Sequence, residues 1–108
     1  MKTEFKAIFP KRDKQQPVII AGPCSAESKS QMLATACELS SAGVDVFRAG
    51  VWKPRTRPGG FEGMGDSALE WLKTVKDVTG MLTATEVGNA LHAEKALAAG
   101  VDIIWIGA

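Results

Sequence analysis

The stretch Val44-Asp-Val-Phe-Arg-Ala-Gly-Val-Trp-Lys-Pro-Arg-Thr-Arg-Pro-Gly-Gly-Phe-Glu-Gly63 runs from a short apolar strand into a rigid cationic loop. Val44 to Phe47 reads as the strand. Arg48, Lys53, Arg55 and Arg57 then fall within ten positions, punctuated by Pro54, Pro58, Gly59, Gly60 and Gly63. Proline fixes φ and glycine permits positive φ, so such a loop holds a definite shape without being helical. Cations this close repel one another unless an anion sits among them. Arginine forks match phosphate and carboxylate oxygens in pairs, and lysine adds a point charge. A solvated basic loop is the plain alternative, since short basic runs are common on surfaces. Two features favour a binding loop. Phe47, Val51, Trp52 and Phe61 interleave with the charges, and connections of about fifteen residues in compact domains are usually functional or disordered.

The same grammar extends outward. Val18-Ile-Ile-Ala-Gly22 is a continuous apolar run, suited to a strand buried on both faces. Ser25 or Ser28 can cap the following helix, where Met32, Leu33, Ala36 and Leu39 mark one face and Gly43 is a natural stop. After the loop, Asp66 or Ser67 can cap a second helix with Ala68, Trp71, Leu72, Val75 and Val78 as its buried stripe, ending at Gly80. Met81 to Val87 is a third strand. Asn89 caps a third helix that stops at Gly100, and Val101 to Ala108 is a fourth strand. Residues 1–17 form an N-terminal extension or linker in which Phe5, Ile8 and Phe9 could make a short strand or plug. Residues 18–108 form the folded unit.

Apolar strands alternating with amphipathic helices predict a parallel α/β sheet. A doubly wound open sheet and a (β/α)₈ barrel both fit, and both place ligands at the C-terminal strand ends. Cys24, Arg48, Lys53, Glu86, Gly107 and Ala108 all fall at those ends, which favours a barrel mouth. No G-x-G-x-x-G follows the first strand, which weakens a dinucleotide reading. The expected fold is therefore a parallel (β/α) barrel of TIM type with four strands present. A whole barrel takes about 250 residues, so the 108-residue chain is expected to be a fragment, a half barrel with apolar edges unpaired.

Composition bounds the partners. A formal net charge of +1 argues against nucleic acid as the main partner and leaves the local basic cluster as the informative feature. No apolar run approaches the roughly 20 residues of a membrane span, and the first ten residues do not form a signal peptide. A cytoplasmic location with reduced Cys24 and Cys37 is expected, although the two could in principle pair. Cys37 lies among Met32, Leu33, Ala36 and Leu39 and reads as a small core residue. Cys24, Glu86 and His92 resemble a three-ligand metal set. His92, however, falls in the first turn of a helix whose Asn89 cap turns it outward, so surface or packing is the better reading of it.

Four motifs in order carry a resemblance: Ala21-Gly-Pro-Cys-Ser-Ala-Glu-Ser28, Arg48-Ala-Gly-Val-Trp-Lys-Pro-Arg-Thr56, Thr85-Glu-Val87 and Trp105-Ile-Gly-Ala108. Together they resemble the 3-deoxy-D-arabino-heptulosonate 7-phosphate (DAHP) synthases of bacterial type I, and most closely the shorter branch that is sometimes fused to chorismate mutase. The match covers about Val18 to Ala108, the first half of that family's barrel. The resemblance implies a metal-dependent, aldol-type condensation of phosphoenolpyruvate with erythrose 4-phosphate that releases phosphate, the first step of the shikimate pathway. It implies Cys24 as a ligand of a divalent metal ion (Mn, Fe, Co or Zn) that polarises the aldehyde, coordination deprotonating the thiol. Arg48 and Lys53 match residues that contact phosphoenolpyruvate, with Lys53 also a candidate proton donor. Arg55 and Thr56 match the site for the erythrose 4-phosphate phosphate, while Arg57 falls outside the matched core. Glu86 matches a carboxylate that orders water; pairing with Arg48 or Lys53 is its plain alternative. Gly107 and Ala108 match a turn whose N–H groups bind phosphate. The other metal ligands of the family, a His, a Glu and an Asp, belong to the second half of its barrel, so this chain alone is not expected to catalyse. A homo-oligomer when full length and a downstream chorismate mutase domain are further expectations.

Two rivals remain. 3-Deoxy-D-manno-octulosonate 8-phosphate synthase shares the barrel and the phosphoenolpyruvate chemistry, but it carries Lys-Ala-Asn-Arg where this chain has Lys53-Pro-Arg-Thr56. A non-catalytic phosphate-binding half barrel is the other.

Overall fold

Among the described residues four parallel strands, each of the first three followed by a helix, make up the fold. The computed structural model describes residue 9, residues 16–52 and residues 64–107. In chain order the elements are β1 (Ile20–Ala21), α1 (Lys29–Ser41), β2 (Val46–Arg48), α2 (Asp66–Thr79), β3 (Leu82–Val87), α3 (Ala90–Ala98) and β4 (Ile103–Ile106). The sheet order is β1-β2-β3-β4, every pair parallel. This is the arrangement of consecutive β/α units in a TIM-type barrel, present in part. Among the described residues no helix is long and apolar enough to cross a membrane.

Register fixes which side chains share a face. Phe47 stands opposite Thr83, and Thr85 opposite Ile104. With side chains alternating along each strand, Phe47, Ala49, Thr83, Thr85 and Val87 lie on the helix-facing side. There Phe47, Ala49, Val51 and Val87 join Met32, Ala36, Leu69, Leu72, Val75 and Ala96 in one buried core. Full burial of Phe47 contributes roughly 1.5–3 kcal/mol. Val46, Arg48, Ala84, Glu86 and Trp105 share the opposite face by the same register.

Local signals explain the helix ends. Ser28, not Ser25, caps α1. Its hydroxyl accepts from Gln31 N–H at 3.1 Å while the Gln31 side chain reaches back to the Ser28 N–H, a reciprocal capping box. Asn89 caps α3 through its side-chain oxygen, 2.8 Å from His92 N. α2 departs from expectation: Gly65 is its N-cap, without a side-chain bond. Asp66 instead lies in the first turn, where a carboxylate favours the helix dipole, and it pairs with Lys95 at 3.3 Å. At the far end Gly80 takes the left-handed conformation, φ 74°, that stops a helix.

Other expectations are corrected. β1 is only Ile20–Ala21, and Val18, Ile19 and Ile20 are exposed rather than buried on both faces. Among the described residues β1 is an edge strand with β2 as its one neighbour in the sheet. Val78 is exposed and Leu69 takes its place in the core. At 100° per residue Val78 points roughly 110° away from the centre of the Ala68-Leu69-Leu72-Val75 line. Cys37 is exposed for the same reason, turned roughly 120° from the line of Met32 and Ala36. Phe9 is half-buried, and the expected strand or plug at Phe5 and Ile8 lies outside the described residues.

Candidate active site at the C-terminal strand ends

Of the polar residues anticipated for a site, Cys24, Arg48 and Glu86 lie where the strands end. Gly22 closes β1 against the end of β2: a Cβ built on it would stand 1.7 Å from the Arg48 carbonyl oxygen. Only a glycine lets the two backbones approach this closely. The approach lets Arg48 reach across. Its Nη1 donates to the Gly22 carbonyl at 3.1 Å and faces Cys24 Sγ at 3.7 Å. Both Cys24 and the guanidinium stay accessible, Cys24 exposed and Arg48 partly buried.

Two backbone bonds stitch the loop after β1 to the chain leaving β2. Ala26 N donates to Gly50 O at 2.8 Å, and Gly50 N to Pro23 O at 3.3 Å. Below them Thr85, fully buried, donates its hydroxyl to Ala49 O at 2.8 Å. A buried carbonyl left without a partner costs about 1–3 kcal/mol, so this bond matters to how β2 ends. Further along, Gly65 N donates to Val51 O at 3.1 Å. The residues on either side of the cationic segment are thus joined where it leaves and returns.

Glu86 lies on the same face as Arg48 and at the same sheet edge. Its exposed carboxylate rests on Gly107, so close that a Cβ there would stand 1.8 Å from Oε1. The alternative of a Glu86–Arg48 pair is not realised: Arg48 turns to Gly22 and Cys24 instead. The other alternative, a pair with Lys53, lies outside the described residues.

His92 does not turn away from the protein. Its ring stacks flat on Trp52, with centroids 4.0 Å apart and planes inclined by 2°. Nδ1 accepts from Gly88 N–H at 3.2 Å. Burial, followed by the nearby Lys95 charge, holds its pKa below the ordinary value. Among the described residues no group of three or more His, Cys, Asp or Glu could hold a metal ion. Cys24 is a single accessible soft donor, chemically suited to one ligand position.

At the opposite end of the sheet, Asp102 ties β4 to β3. Its carboxylate accepts from Thr83 N–H at 3.0 Å and pairs with Lys76 at 2.7 Å. Burial pushes the carboxyl up, but the Lys76 ammonium and the Thr83 donors outweigh it and hold the group below its ordinary value.

Of the anticipated site residues, Cys24 and Arg48 are brought into contact and Glu86 is placed on their face. Lys53, Arg55, Thr56, Arg57 and Ala108 lie outside the described residues. Sequence reasoning missed the roles of Gly22, Thr85 and the Trp52–His92 stack, and Gly107, expected to offer its N–H to phosphate, donates it to the Val87 carbonyl at 3.2 Å. Glycine at a strand end hints at close approach, but nothing local names the partner.

The sequence profile of the DAHP synthetase I family matches residues 6–108. The chain belongs to that family. A relative from Thermotoga maritima, named Phospho-2-dehydro-3-deoxyheptonate aldolase, is 46% identical over 90 residues. That match takes in 83% of this chain and 26% of the relative. A crystal structure of the Thermotoga maritima DAHP synthase superposes with a TM-score of 0.75 and 41% identity, covering 83% of this chain and 25% of that one. A truncated form of 3-deoxy-D-arabino-heptulosonate 7-phosphate synthase from the same organism gives a TM-score of 0.69 at 42% identity, covering 84% of this chain and 31% of that one. The chain thus spans about a quarter of the length of the curated relative it matches.

Proposed function

We propose that this chain supplies the phosphoenolpyruvate-binding side and one metal ligand of a DAHP synthase active site. The reading rests on one observation: a family member places the Arg48 guanidinium 3.7 Å from the Cys24 thiol sulfur at the strand ends. An anion-binding fork beside a soft metal donor is what the condensation needs. Phosphoenolpyruvate would present its carboxylate and phosphate to Arg48 and Lys53. Arg55 and Thr56 would take the phosphate of erythrose 4-phosphate. The backbone N–H of Ala108 would bind phosphate, whereas the expected Gly107 N–H is already donated to the Val87 carbonyl at 3.2 Å. A divalent metal held in part by Cys24 supplies Lewis-acid polarisation of the aldehyde.

In the balanced reaction, the enol carbon of phosphoenolpyruvate bonds to the aldehyde carbon of erythrose 4-phosphate. Water adds at the phosphate-bearing carbon, and inorganic phosphate leaves from it. Glu86, exposed and on the Arg48 face, would hold that water. Lys53 is the candidate for moving a proton at the enol carbon. The remaining metal ligands are not contributed by the described residues, so the chain by itself is expected to show no turnover.

The test is a chimera in which residues 18–108 replace the matching segment of the Thermotoga maritima relative. Phosphate release should require phosphoenolpyruvate, erythrose 4-phosphate and manganese together. Cys24→Ala should abolish it, and Arg48→Ala should lower it by 100-fold or more, on the order of 2.7 kcal/mol. A folded chimera that accepts arabinose 5-phosphate and refuses erythrose 4-phosphate would replace this reading with the octulosonate synthase. A folded chimera with no turnover at all would leave a phosphate-binding module.

A further inference from the structure

The cationic segment begins at Lys53, one residue beyond Trp52, and Trp52 is held by a residue outside the motifs described above. The His92 ring covers the indole face to face at 4.0 Å, with planes inclined by only 2°. Such an arrangement is not generic packing, because the imidazole is fixed at its edges as well. Nδ1 accepts from Gly88 N–H at 3.2 Å, and Asn89 Nδ2 stands 3.5 Å from Nε2. The His92 backbone N–H is itself taken by the Asn89 cap at 2.8 Å. The ring therefore cannot rotate without losing its bond to Gly88. It belongs to the first turn of α3, which follows directly on β3 and so moves with Glu86. On its other side Trp52 is bounded by the start of α2, where a Cβ on Gly65 would stand 3.7 Å from the indole Nε1.

We propose that His92 is a positioning residue for anion binding: through its stack on Trp52 it ties the exit of β2, and with it the start of the cationic segment, to the end of β3. The inference rests on the function proposed above and adds a residue to it. Its physical content is pre-organisation. Arg48 is set by the sheet itself, while Val51 and Trp52 lie past the last residue of β2 and take their position from other contacts. Between them, the stack and the Gly65 N to Val51 O bond do that work. An anion that must bridge Arg48 and Lys53 binds more weakly when the spacing of the two fluctuates.

The experiment compares the full 108-residue chain with His92→Phe and His92→Ala. Phenylalanine keeps a flat ring for the stack and loses the edge contacts to Gly88 and Asn89; alanine loses the stack as well. Phosphoenolpyruvate is titrated into each while backbone amide and Trp52 indole resonances are followed, with circular dichroism confirming equal helix content. An aromatic stack of this kind predicts roughly two- to ten-fold weaker binding for His92→Ala, with His92→Phe restored to within about two-fold of the parent. Equal affinity in all three proteins would overturn the proposal, and so would equal weakening in Phe and Ala. If the parent chain shows no phosphoenolpyruvate binding, the functional reading is what fails. The positioning claim is then decided without ligand, by whether the Trp52 indole and the amides of residues 53–57 shift in His92→Ala and stay in place in His92→Phe. Unshifted resonances in His92→Ala would refute it.

Discussion

Replacing Gly22 by alanine should be among the most damaging single-methyl additions in this chain. The new Cβ would stand 1.7 Å from the Arg48 carbonyl oxygen, 2.8 Å from its carbon and 3.0 Å from its nitrogen. All three are backbone atoms, so no side-chain rotation relieves the overlap. β1 must move away from β2 by an ångström or more, and β1 is held by only two register pairs, Ile20 with Val46 and Ala21 with Phe47. Overpacking of this kind costs about 1–3 kcal/mol. Displacing Gly22 also breaks the charge-assisted bond from Arg48 to its carbonyl, a further loss of about 1.5–3 kcal/mol when buried and less here, where it is partly exposed. Together these approach about 3–5 kcal/mol, a large fraction of the 5–15 kcal/mol that a domain typically has. Gly80→Ala is the control. Nothing lies within 4 Å of its added Cβ, and its φ of 74° charges only the left-handed penalty of about 1–2 kcal/mol. Urea unfolding of the parent and both variants, read at constant slope, measures the difference. If Gly22→Ala loses no more stability than Gly80→Ala, the close approach of β1 and β2 is not what holds this end of the sheet.

Two further substitutions probe the frame beneath the site. Thr85→Val keeps the shape but removes the donor to Ala49 O, and it should destabilise by about 1–3 kcal/mol at unchanged urea slope; a neutral or stabilised variant contradicts the buried bond. Asp102→Asn removes the pair with Lys76 and weakens the bonds to Thr83, for about 1–2 kcal/mol near neutral pH after allowance for partial exposure. Because the Asp102 carboxyl lies below its ordinary 3.8 in the folded chain, its contribution is complete above that value and fades as pH falls through the lower folded value. The deficit of Asp102→Asn should therefore shrink in acid, and a deficit independent of pH would show that the charge is not its source.

The order of elements, the caps at Ser28 and Asn89 and the stop at Gly80 were legible because each is a local event. A hydroxyl and a glutamine three residues apart cap a helix wherever it docks, and apolar strands alternating with helices can only make a parallel sheet. The same order places Cys24, Arg48 and Glu86 at one edge, since every β/α unit ends its strand on the same side. Tertiary structure alone decided what those residues do with one another. Arg48 turns to Gly22 and Cys24, 26 and 24 residues away, and not to Glu86. The Thr85 hydroxyl finds a carbonyl 36 residues distant. His92, which local reasoning turns outward from its cap, is drawn onto Trp52 because the start of α3 and the exit of β2 meet at the end of the sheet. Hydrophobic periodicity likewise marked Val78 and Cys37 as apolar but could not weigh the angle between them and the surface that each helix faces. A pattern along the chain determines which elements form and which edge carries the polar ends. Distances across the sheet, set by register and by the absence of a Cβ at Gly22 and Gly107, determine the site.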